Sequence, residues 1–568
     1  MKQLRIFLVI AAVAATMASC SKDYEKVPLE KFTIEYVFDK DDSLGTYANK
    51  FLNTIYSDLP QGYNRLNNDI LDAASDDAVS ISTSTTDVSL LATGGYTSYA
   101  TIASETPWAS CYAAIRQANI FVSNIDVSPV KEKLPNGYSI RYAWKAEARF
   151  LRALFYFELL KRYGGIPLMG DSARKLGDDV QVARSSFADC VSYLVKECDA
   201  IKDSLRPNPV VAPELNSHRA TRGAALALKA KILLYAASPL FNGQNIDANN
   251  PLTGYTTYDK ERWKLAADAA RDLINERTFA LLPNFKDIFI TQNNSEVIFF
   301  RQGSNNSTIE STNGPLGFAK VANGRTNPTQ ELVDAFPMAN GRAITDPQSG
   351  YNADDPYANR DPRFGMTILY NGCTWLNTQL QMFDGGQNKP AGQTPGTKTA
   401  YYMRKFMGNF ETATQYSDIT SHDWLILRYT EVVLNFAEAQ NEYSGPTEEV
   451  YQVLKDLRAR AGIAPGDDGM YGLAANMTQD SMRQVIRNER RIEMAFEEQR
   501  YWDVRRWRIA EQVLNNPLHG MQIIKDGATL TYNLVSVFKP SFSKKMYLYP
   551  IPYDEVVKND HMVQNPGW

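Results

Sequence analysis

Cys20 is the residue whose surroundings most clearly predict chemistry in this chain. Lys2 and Arg5 flank an apolar run from Ile6 to Ala15, and Ala18-Ser19 stand directly before the cysteine. A positive segment, a short apolar segment and small residues at the cut are typical of a secretory signal. The apolar run is shorter than the ~20 residues that a membrane-spanning helix needs. The pattern therefore predicts a lipoprotein signal peptide over 1–19, cleavage before Cys20 and acylation of its thiol and new amine, which anchors the chain to a membrane without spanning it.

Side chains that could catalyse a reaction are scattered. The four histidines have no HExxH spacing, and the sequence contains no GxSxG, Walker or dinucleotide motif. We therefore predict no catalytic residues, no metal ligands and no cofactor. The adjacent acids Asp76-Asp77 and Asp354-Asp355 are interpreted as solvated surface, because glycosidase carboxylates must flank a bond at roughly 5 to 9 Å and adjacency in sequence does not establish that.

An arginine-rich block near the carboxyl terminus favours ion pairing. Seven arginines lie between positions 487 and 508, interleaved with Glu489, Glu493, Glu497, Glu498 and Asp503. Because arginine pairs carboxylates with two parallel hydrogen bonds, we interpret the block as an internal ion-pair network that joins helices. A net charge of −4, from 60 basic and 64 acidic residues, offers no basic footprint for nucleic acid.

The remaining cysteines are predicted to be small buried residues. Cys190 and Cys198 are eight residues apart on one predicted helix, about 12 Å by helical rise, which exceeds the roughly 7 Å limit for a disulfide. Cys111 and Cys373 have no CxxC partner. Oxidation of a distant pair stays open in an exported chain.

Helical periodicity dominates the chain. It predicts helices at Leu44–Leu59, Trp108–Ile125, Tyr138–Tyr163, Ser185–Ser204, Arg219–Ala237, Asp259–Asn275, Asp423–Tyr443, Glu448–Ala461 and Gln479 to about Ala510. Residues 64–106 are predicted to be loop, and 547–568 an extended segment. Residues 276–420 are rich in Asn, Gly, Thr and Pro around one predicted strand, Glu296–Phe300. Long loops with little regular structure are usually functional or disordered, and in an exported chain of this size we favour a functional loop. These patterns predict a lipidated tether over 20–42, a helical scaffold over 43–275, a loop-rich excursion over 276–420 and a helical part over 421–568 that completes one domain.

Several sequence blocks together resemble the SusD/RagB family of outer-membrane nutrient-binding lipoproteins. All stand in the expected order, from Cys20 to the end of the chain. They are Ala146–Ala153 with Tyr163–Leu168, Ala220–Lys231, Asn359–Phe364, Arg428–Leu434 with Ala437–Ala439, Arg487–Glu497 with Arg500–Trp507, and Tyr549–Pro552 with Gln564–Gly567.

The resemblance implies an α-helical, tetratricopeptide-like scaffold with an irregular excursion that contains a few short strands and carries the ligand site. It also implies a SusC-like TonB-dependent transporter as partner and a lipid-anchored place at the outer membrane, exposed on the cell surface. The implied ligand is an oligosaccharide, and in some relatives a peptide. Ser21–Glu25 departs from the acidic cluster that follows the cysteine in some surface-exported lipoproteins.

A sugar presents C–H faces that stack on aromatic rings, so a glycan site needs exposed rings on a loop-rich surface. Two stretches meet this description, 94–99 and 351–375. From loop context and the place of sites in relatives, we predict Tyr96, Tyr351 and Trp375 as stacking rings. Trp108 begins an apolar helix and is assigned to the core.

The function that follows is a non-catalytic surface receptor that captures oligosaccharide and delivers it to the transporter. A peptide receptor on the same scaffold is an alternative, which predicts a closed chamber with backbone-like hydrogen bonds. A glycoside hydrolase is a third hypothesis, which requires two carboxylates at catalytic separation in one cleft.

Overall fold

The computed structural model describes residues 33–568, apart from residues 136, 172, 175–176, 180, 211, 319–322, 391–395 and 418–419. The predicted signal peptide, Cys20 and the first part of the tether lie outside the described residues. Within the described part, no helix is both long enough and apolar enough to cross a bilayer.

Helices make up most of the regular structure. They are α1 (Ile34–Val37), α2 (Thr46–Ser57), α3 (Asp87–Thr93), α4 (Trp108–Asn124), α5 (Ile140–Tyr163), α6 (Phe187–Ile201), α7 (Pro213–Asn216), α8 (Arg222–Ala237), α9 (Glu261–Glu276), α10 (Thr308–Asn313), α11 (Gln330–Ala335), α12 (Pro362–Thr367), α13 (Tyr429–Ser444), α14 (Glu448–Ala461), α15 (Gln479–Glu493), α16 (Gln499–Arg506), α17 (Ala510–Val513) and α18 (Tyr553–Lys558).

The long helices pack on one another in series. α4 packs on α5, α5 on α6, α6 on α8, α8 on α9 and α9 on α13, which also contacts α14 and α15. α5 is 24 residues long and buried on nearly every side, as the apolar residues on two of its faces predict. This serial packing confirms the predicted all-α, tetratricopeptide-like scaffold.

Short antiparallel strands join distant parts of the chain. They are β1 (Ala78–Ser80), β2 (Val297–Arg301), β3 (Thr326–Pro328), β4 (Ile368–Leu369), β5 (Thr374–Trp375), β6 (Thr378–Gln379), β7 (Tyr402–Met403), β8 (Trp424–Arg428), β9 (Leu518–Asp526) and β10 (Thr529–Phe538). β2 pairs with β8, so the chain leaves the scaffold after β2 and returns at β8. β1 pairs with β3 and ties the excursion to the amino-terminal part.

The helix predicted from Asp423 begins later. Residues Trp424–Arg428 form β8, and α13 begins only at Tyr429. The run Trp-Leu-Ile-Leu fits a pleated, half-buried surface, and β2 supplies the partner strand that makes this surface available.

The helix predicted from Gln479 to about Ala510 is divided into α15, α16 and α17. Between the first two, the backbone N–H groups of Phe496 and Glu498 donate to the buried carboxylate of Asp72, at 3.2 and 3.1 Å. Both residues have positive φ, 65° and 59°. Because one carboxylate accepts from two backbone donors, it stabilises the interruption between α15 and α16, which the local sequence does not predict.

Two further regions have more regular structure than the sequence indicated. Residues 64–106, predicted as loop, contain β1 and α3, and Thr86 and Ser89 form a capping box at the start of α3. Residues 518–538 form a β-hairpin that was not predicted. Asp526-Gly527 lies at its turn, and Asp-Gly between apolar strands is a strong hairpin signal.

The arginine-rich block forms a buried ion-pair network, as predicted, with partners both inside and outside the block. Arg490 binds Asp503 at 2.7 Å and Arg506 binds Glu438 at 2.6 Å. The interpretation of Asp76-Asp77 as solvated surface is wrong. Both aspartates are buried, and they bind Arg491 at 3.0 and 2.6 Å; Asp76 also binds Arg500 at 2.8 Å.

The cysteines of the described region are free. Cys111, Cys190 and Cys198 are buried, as predicted, and Cys373 is half-buried. Burial raises the pKa of each thiol to about 12, so these side chains pack as small apolar groups.

Candidate ligand-binding surface

Trp375 lies in the interior of the excursion. Its ring is fully buried, and its Nε1 donates a hydrogen bond to the Tyr416 hydroxyl at 3.0 Å. The guanidinium of Arg404 covers the ring at 4.8 Å. Because side chains alternate along β5, Thr374 faces solvent and Trp375 faces inward. The prediction of an exposed ring at Trp375 is wrong.

Tyr96 is also buried. It is 2% exposed and packs against Tyr549 and Trp568, with ring centroids at 5.8 and 5.1 Å. Gly94 ends α3 in the left-handed region, at φ 71°, and the chain then turns back against the carboxyl-terminal segment. The prediction of an exposed ring at Tyr96 is therefore wrong, because that segment covers it.

Tyr351 is half-buried at the surface of the excursion. The guanidinium of Arg360 lies 5.7 Å from its ring centroid, and burial raises the pKa of its phenol. Part of the ring remains open to solvent, so the role of Tyr351 in ligand binding stays a prediction.

In residues 94–99, the first of the two stretches predicted to carry the ligand site, the exposed ring is Tyr99. It is 75% exposed and stacks on Tyr553, itself 39% exposed, with centroids 4.0 Å apart and planes at 25°. The backbone N–H of Tyr553 donates to the carbonyl oxygen of Ser98 at 2.9 Å, which joins the loop to the carboxyl-terminal segment. The neighbouring phenol of Tyr553 raises the pKa of Tyr99. We call Tyr99 and Tyr553 the tyrosine pair.

The carboxyl-terminal segment that carries Tyr553 also lines a cavity of about 420 Å³, whose other walls are α4 and residues between Pro167 and Val182. α4 supplies Trp108 and Tyr112, and α18 supplies Glu555 and Lys558. Ligand pockets commonly have volumes of roughly 300 to 1,000 Å³ and apolar or aromatic walls with a few polar groups. We call this space the α4 cavity.

Hydrogen bonds hold the polar groups of the α4 cavity in place. The Tyr112 hydroxyl donates to the Pro167 carbonyl oxygen at 2.9 Å. Asn119 Nδ2 donates to the Gly170 carbonyl oxygen at 3.1 Å, and Asn119 Oδ1 accepts from the buried Arg152 at 2.7 Å. These contacts fix the cavity wall on α4, while Lys558 and Glu555 lie at its solvent side.

A larger polar cavity, about 550 Å³, lies where β2 and β8 meet. Its rings are Tyr63 and Trp424, which are buried and pack edge to face at 4.9 Å and 83°. It therefore offers polar side chains without an open ring face. Across the described ranges, no group of three or more His, Cys, Asp or Glu side chains is arranged to hold a metal ion.

From the sequence we selected Tyr96 in the loop where Tyr99 is the exposed ring, and Tyr553 was not considered. Tyr553 follows Pro552 in a stretch predicted to be extended, whereas the structure places a short helix, α18, there. Two signals were available: a second tyrosine in the flagged loop, and a Tyr at the first helical position after a proline. Neither shows that the two rings meet, because that contact joins opposite ends of the chain.

Comparisons with known proteins agree with this architecture. A family model described as "SusD family" matches residues 295–568, and one described as "Starch-binding associating with outer membrane" matches residues 40–234. A curated SusD-like protein of Formosa agariphila is 23% identical over 469 residues, which is 81% of this chain and 80% of its own length.

Solved structures extend the likeness over nearly the whole chain. A SusD-like protein from Bacteroides fragilis has a TM-score of 0.76 at 25% identity, covering 95% of this chain and 100% of that one. A SusD-like carbohydrate binding protein from the same species has a TM-score of 0.72 at 22% identity, covering 91% and 99%. The chain therefore belongs to the SusD/RagB family and has its helical-repeat scaffold.

Proposed function

We propose that this protein is a non-catalytic, glycan-binding lipoprotein of the outer membrane that captures oligosaccharide at the tyrosine pair and the α4 cavity. The observation that carries the proposal is the stacked, exposed pair of Tyr99 and Tyr553. Single exposed rings are ordinary, but contiguous exposed aromatic surface often marks a binding site. Here the two rings support one another and leave their outer faces open to solvent.

The geometry suits a sugar chain. The C–H face of a pyranose ring stacks on a phenol, and neighbouring hydroxyls need polar partners. The α4 cavity provides Arg116, Glu555, Lys558 and Asn559 beside Trp108 and Tyr112. Because α4 belongs to the serially packed scaffold, Trp108, Tyr112 and Arg116 are held on a rigid element.

The relatives support a carbohydrate as ligand. One matching family model is described as starch-binding and as associating with the outer membrane, and one structural neighbour is described as a carbohydrate binding protein.

Binding without cleavage is supported by the charges of the site. Glycosidases of the common kinds place two carboxyl groups across the scissile bond. Among the described residues that line the α4 cavity, Glu555 is the single carboxylate. Other acids, such as Asp76 and Asp77, are engaged by Arg500 and Arg491.

Anchoring and delivery complete the proposal. Cys20 follows a lipoprotein-type signal, so acylation would hold the protein at the membrane. The family resemblance implies a SusC-like TonB-dependent transporter as the recipient of the captured oligosaccharide.

Affinity electrophoresis through gels that each contain one polysaccharide tests binding, with an α-1,4-glucan, a β-1,3-glucan, a xylan and a pectin as probes. We expect retardation by at least one glycan, and no shortening of that glycan when it is incubated with the protein and analysed by chromatography. Shortening would replace the proposal with a hydrolase, and selective binding of peptides without glycan retention would replace it with a peptide receptor.

A further inference from the structure

The hairpin of β9 and β10 is fastened to the rest of the protein along one edge, the outer edge of β9. The backbone N–H of Met521 donates to the carbonyl oxygen of Thr399 at 2.9 Å, and the carbonyl oxygen of Ile523 accepts from the backbone N–H of Asp384 at 2.8 Å. Both residues of β9 therefore direct their backbone groups away from β10.

The other edge of the hairpin belongs to β10. Tyr532 lies opposite Ile523, and Leu534 lies opposite Met521. Facing residues of an antiparallel pair direct their backbone groups either toward one another or both outward, so Tyr532 and Leu534 direct theirs to the outer edge of β10. No backbone group of another described segment forms a hydrogen bond with β10 from that side. We call this row of backbone groups the free edge.

The free edge has few of the features that usually protect an edge strand. Natural edge strands are commonly short, charged, interrupted by proline or twisted away by a bulge. β10 runs for ten residues, Thr529–Phe538, without a charged residue or a proline, and its bulge lies at the end, between Ser536 and Phe538. Leu534, in the middle of the strand, is 59% exposed. Such an edge is a template for a further strand.

The free edge is complementary to a second copy of itself. When two β10 strands run antiparallel about a two-fold axis at Asn533, the outward backbone groups of Tyr532 come opposite those of Leu534 of the second copy, and the reverse. The aromatic ring then covers the exposed leucine, as stable cross-strand pairs do. At each end, the exposed Asp526 comes near the exposed Lys539 of the second copy. The match therefore includes backbone groups, apolar side chains and charge.

We propose that β10 pairs with β10 of a second copy of this chain, which joins the two hairpins into one four-stranded antiparallel sheet. The absence of charge on β10 allows two copies to approach without repulsion, and the two-fold match favours a copy over the strand of a different protein. This surface is separate from the tyrosine pair and the α4 cavity, and the inference does not depend on the function proposed for them.

Cysteine cross-linking of the purified full chain tests the register. In Asn533→Cys the two new thiols face one another at the axis, where the Cα atoms of a pair without backbone hydrogen bonds lie about 4.5 Å apart, within the range of a disulfide. Thr531→Cys is the matched control, because its copy lies four residues further along, about 13 Å away at ~3.3 Å per residue. After mild oxidation, we expect a species of twice the mass from Asn533→Cys, and little from Thr531→Cys or the wild type.

Sedimentation equilibrium of the full chain tests the contact without a new cysteine. Leu534→Lys places a charge on the free edge and should weaken self-association at least tenfold. Ile524→Lys places the same charge on β9, at a residue that is 44% exposed, and should associate like the wild type. Circular dichroism will verify that both variants fold.

Several results would overturn the proposal. They are a wild-type chain that stays monomeric at every concentration, equal cross-linking at positions 531 and 533, or equal effects of the two lysine variants. In intact cells, a disulfide from Asn533→Cys to a different protein, in place of the species of twice the mass, would assign the free edge to that protein and overturn pairing between copies.

Discussion

Arg363 Nη1 lies 2.9 Å from Glu493 Oε2, and both side chains are fully buried. Arg363 belongs to α12 in the excursion, and Glu493 ends α15 in the scaffold. Glu493 also binds Arg460 at 2.5 Å and Arg428 at 3.3 Å. One carboxylate thus joins the excursion to the helical repeats through three arginines drawn from distant parts of the chain.

Replacing Arg363 with methionine should strongly destabilise the protein. Arg363 also binds Asp361 and Glu489, both at 2.7 Å, so the variant leaves buried negative charge without its partner. Breaking a buried pair in this way costs about 3 to 5 kcal/mol. Urea denaturation followed by circular dichroism measures the loss. Lys264→Met, at the exposed pair Lys264–Asp268, is the matched control and should keep the wild-type midpoint; equal midpoints for both variants would contradict the account.

Glu438 should make stability depend on pH in the acid range. Burial acts to raise its pKa, but the charge and hydrogen bonds of Arg506 prevail and lower the pKa from 4.5 to about 2. A depressed carboxyl pKa contributes stability above the unfolded value, and this contribution is lost as the pH falls from about 4.5 through about 2. It amounts to on the order of 3 kcal/mol at neutral pH.

The comparison of wild type with Glu438→Gln isolates this contribution. Glutamine preserves the shape but not the charge that Arg506 binds at 2.6 and 2.7 Å. Thermal midpoints at pH 6, 4 and 3 should show a large difference between the two proteins that shrinks as the pH falls. A difference that stays constant with pH would show that the Glu438 charge contributes nothing.

Sequence reasoning worked where the determinants are local. α14 begins and ends at the predicted residues. Its end is set locally, because Gly462 takes the left-handed conformation at φ 87°. The arginine block was correctly interpreted as an ion-pair network, since acids and bases alternate there. Its partners, among them Asp76, Arg363 and Arg428, are remote in sequence and were not predictable from one chain.

The residues of the candidate site also depend on contacts between parts of the chain that are remote in sequence. Tyr96 and Tyr99 lie three residues apart in one loop, and their local sequences do not distinguish the buried ring from the exposed one. The difference comes from Tyr549 and Trp568, which cover Tyr96, and from Tyr553, which stacks on Tyr99. These contacts come from the other end of the chain, so only the folded structure reveals them.

Lipid anchoring should depend on one atom, the Cys20 sulfur. In cells that process lipoproteins, we expect the wild-type chain to partition into the detergent phase of Triton X-114, because each buried methylene of an acyl chain contributes ~0.8 kcal/mol. Cys20→Ala should move the protein to the aqueous phase. Cys373→Ala serves as the control and should behave like wild type; wild-type protein in the aqueous phase would refute lipidation.

The central claim, glycan capture on the tyrosine pair, is tested most directly by measuring the affinity of Tyr99→Ala for the glycan that retards the wild-type protein. Removing one stacked ring should weaken binding at least about fivefold, if a sugar face stacks with an energy like the about 1 to 3 kcal/mol of a nucleic-acid base on an aromatic ring. The matched control is Tyr258→Ala, which removes a tyrosine that is 61% exposed and outside the site. We predict that Tyr99→Ala loses retardation and Tyr258→Ala keeps it; equal retardation of both variants would contradict the account.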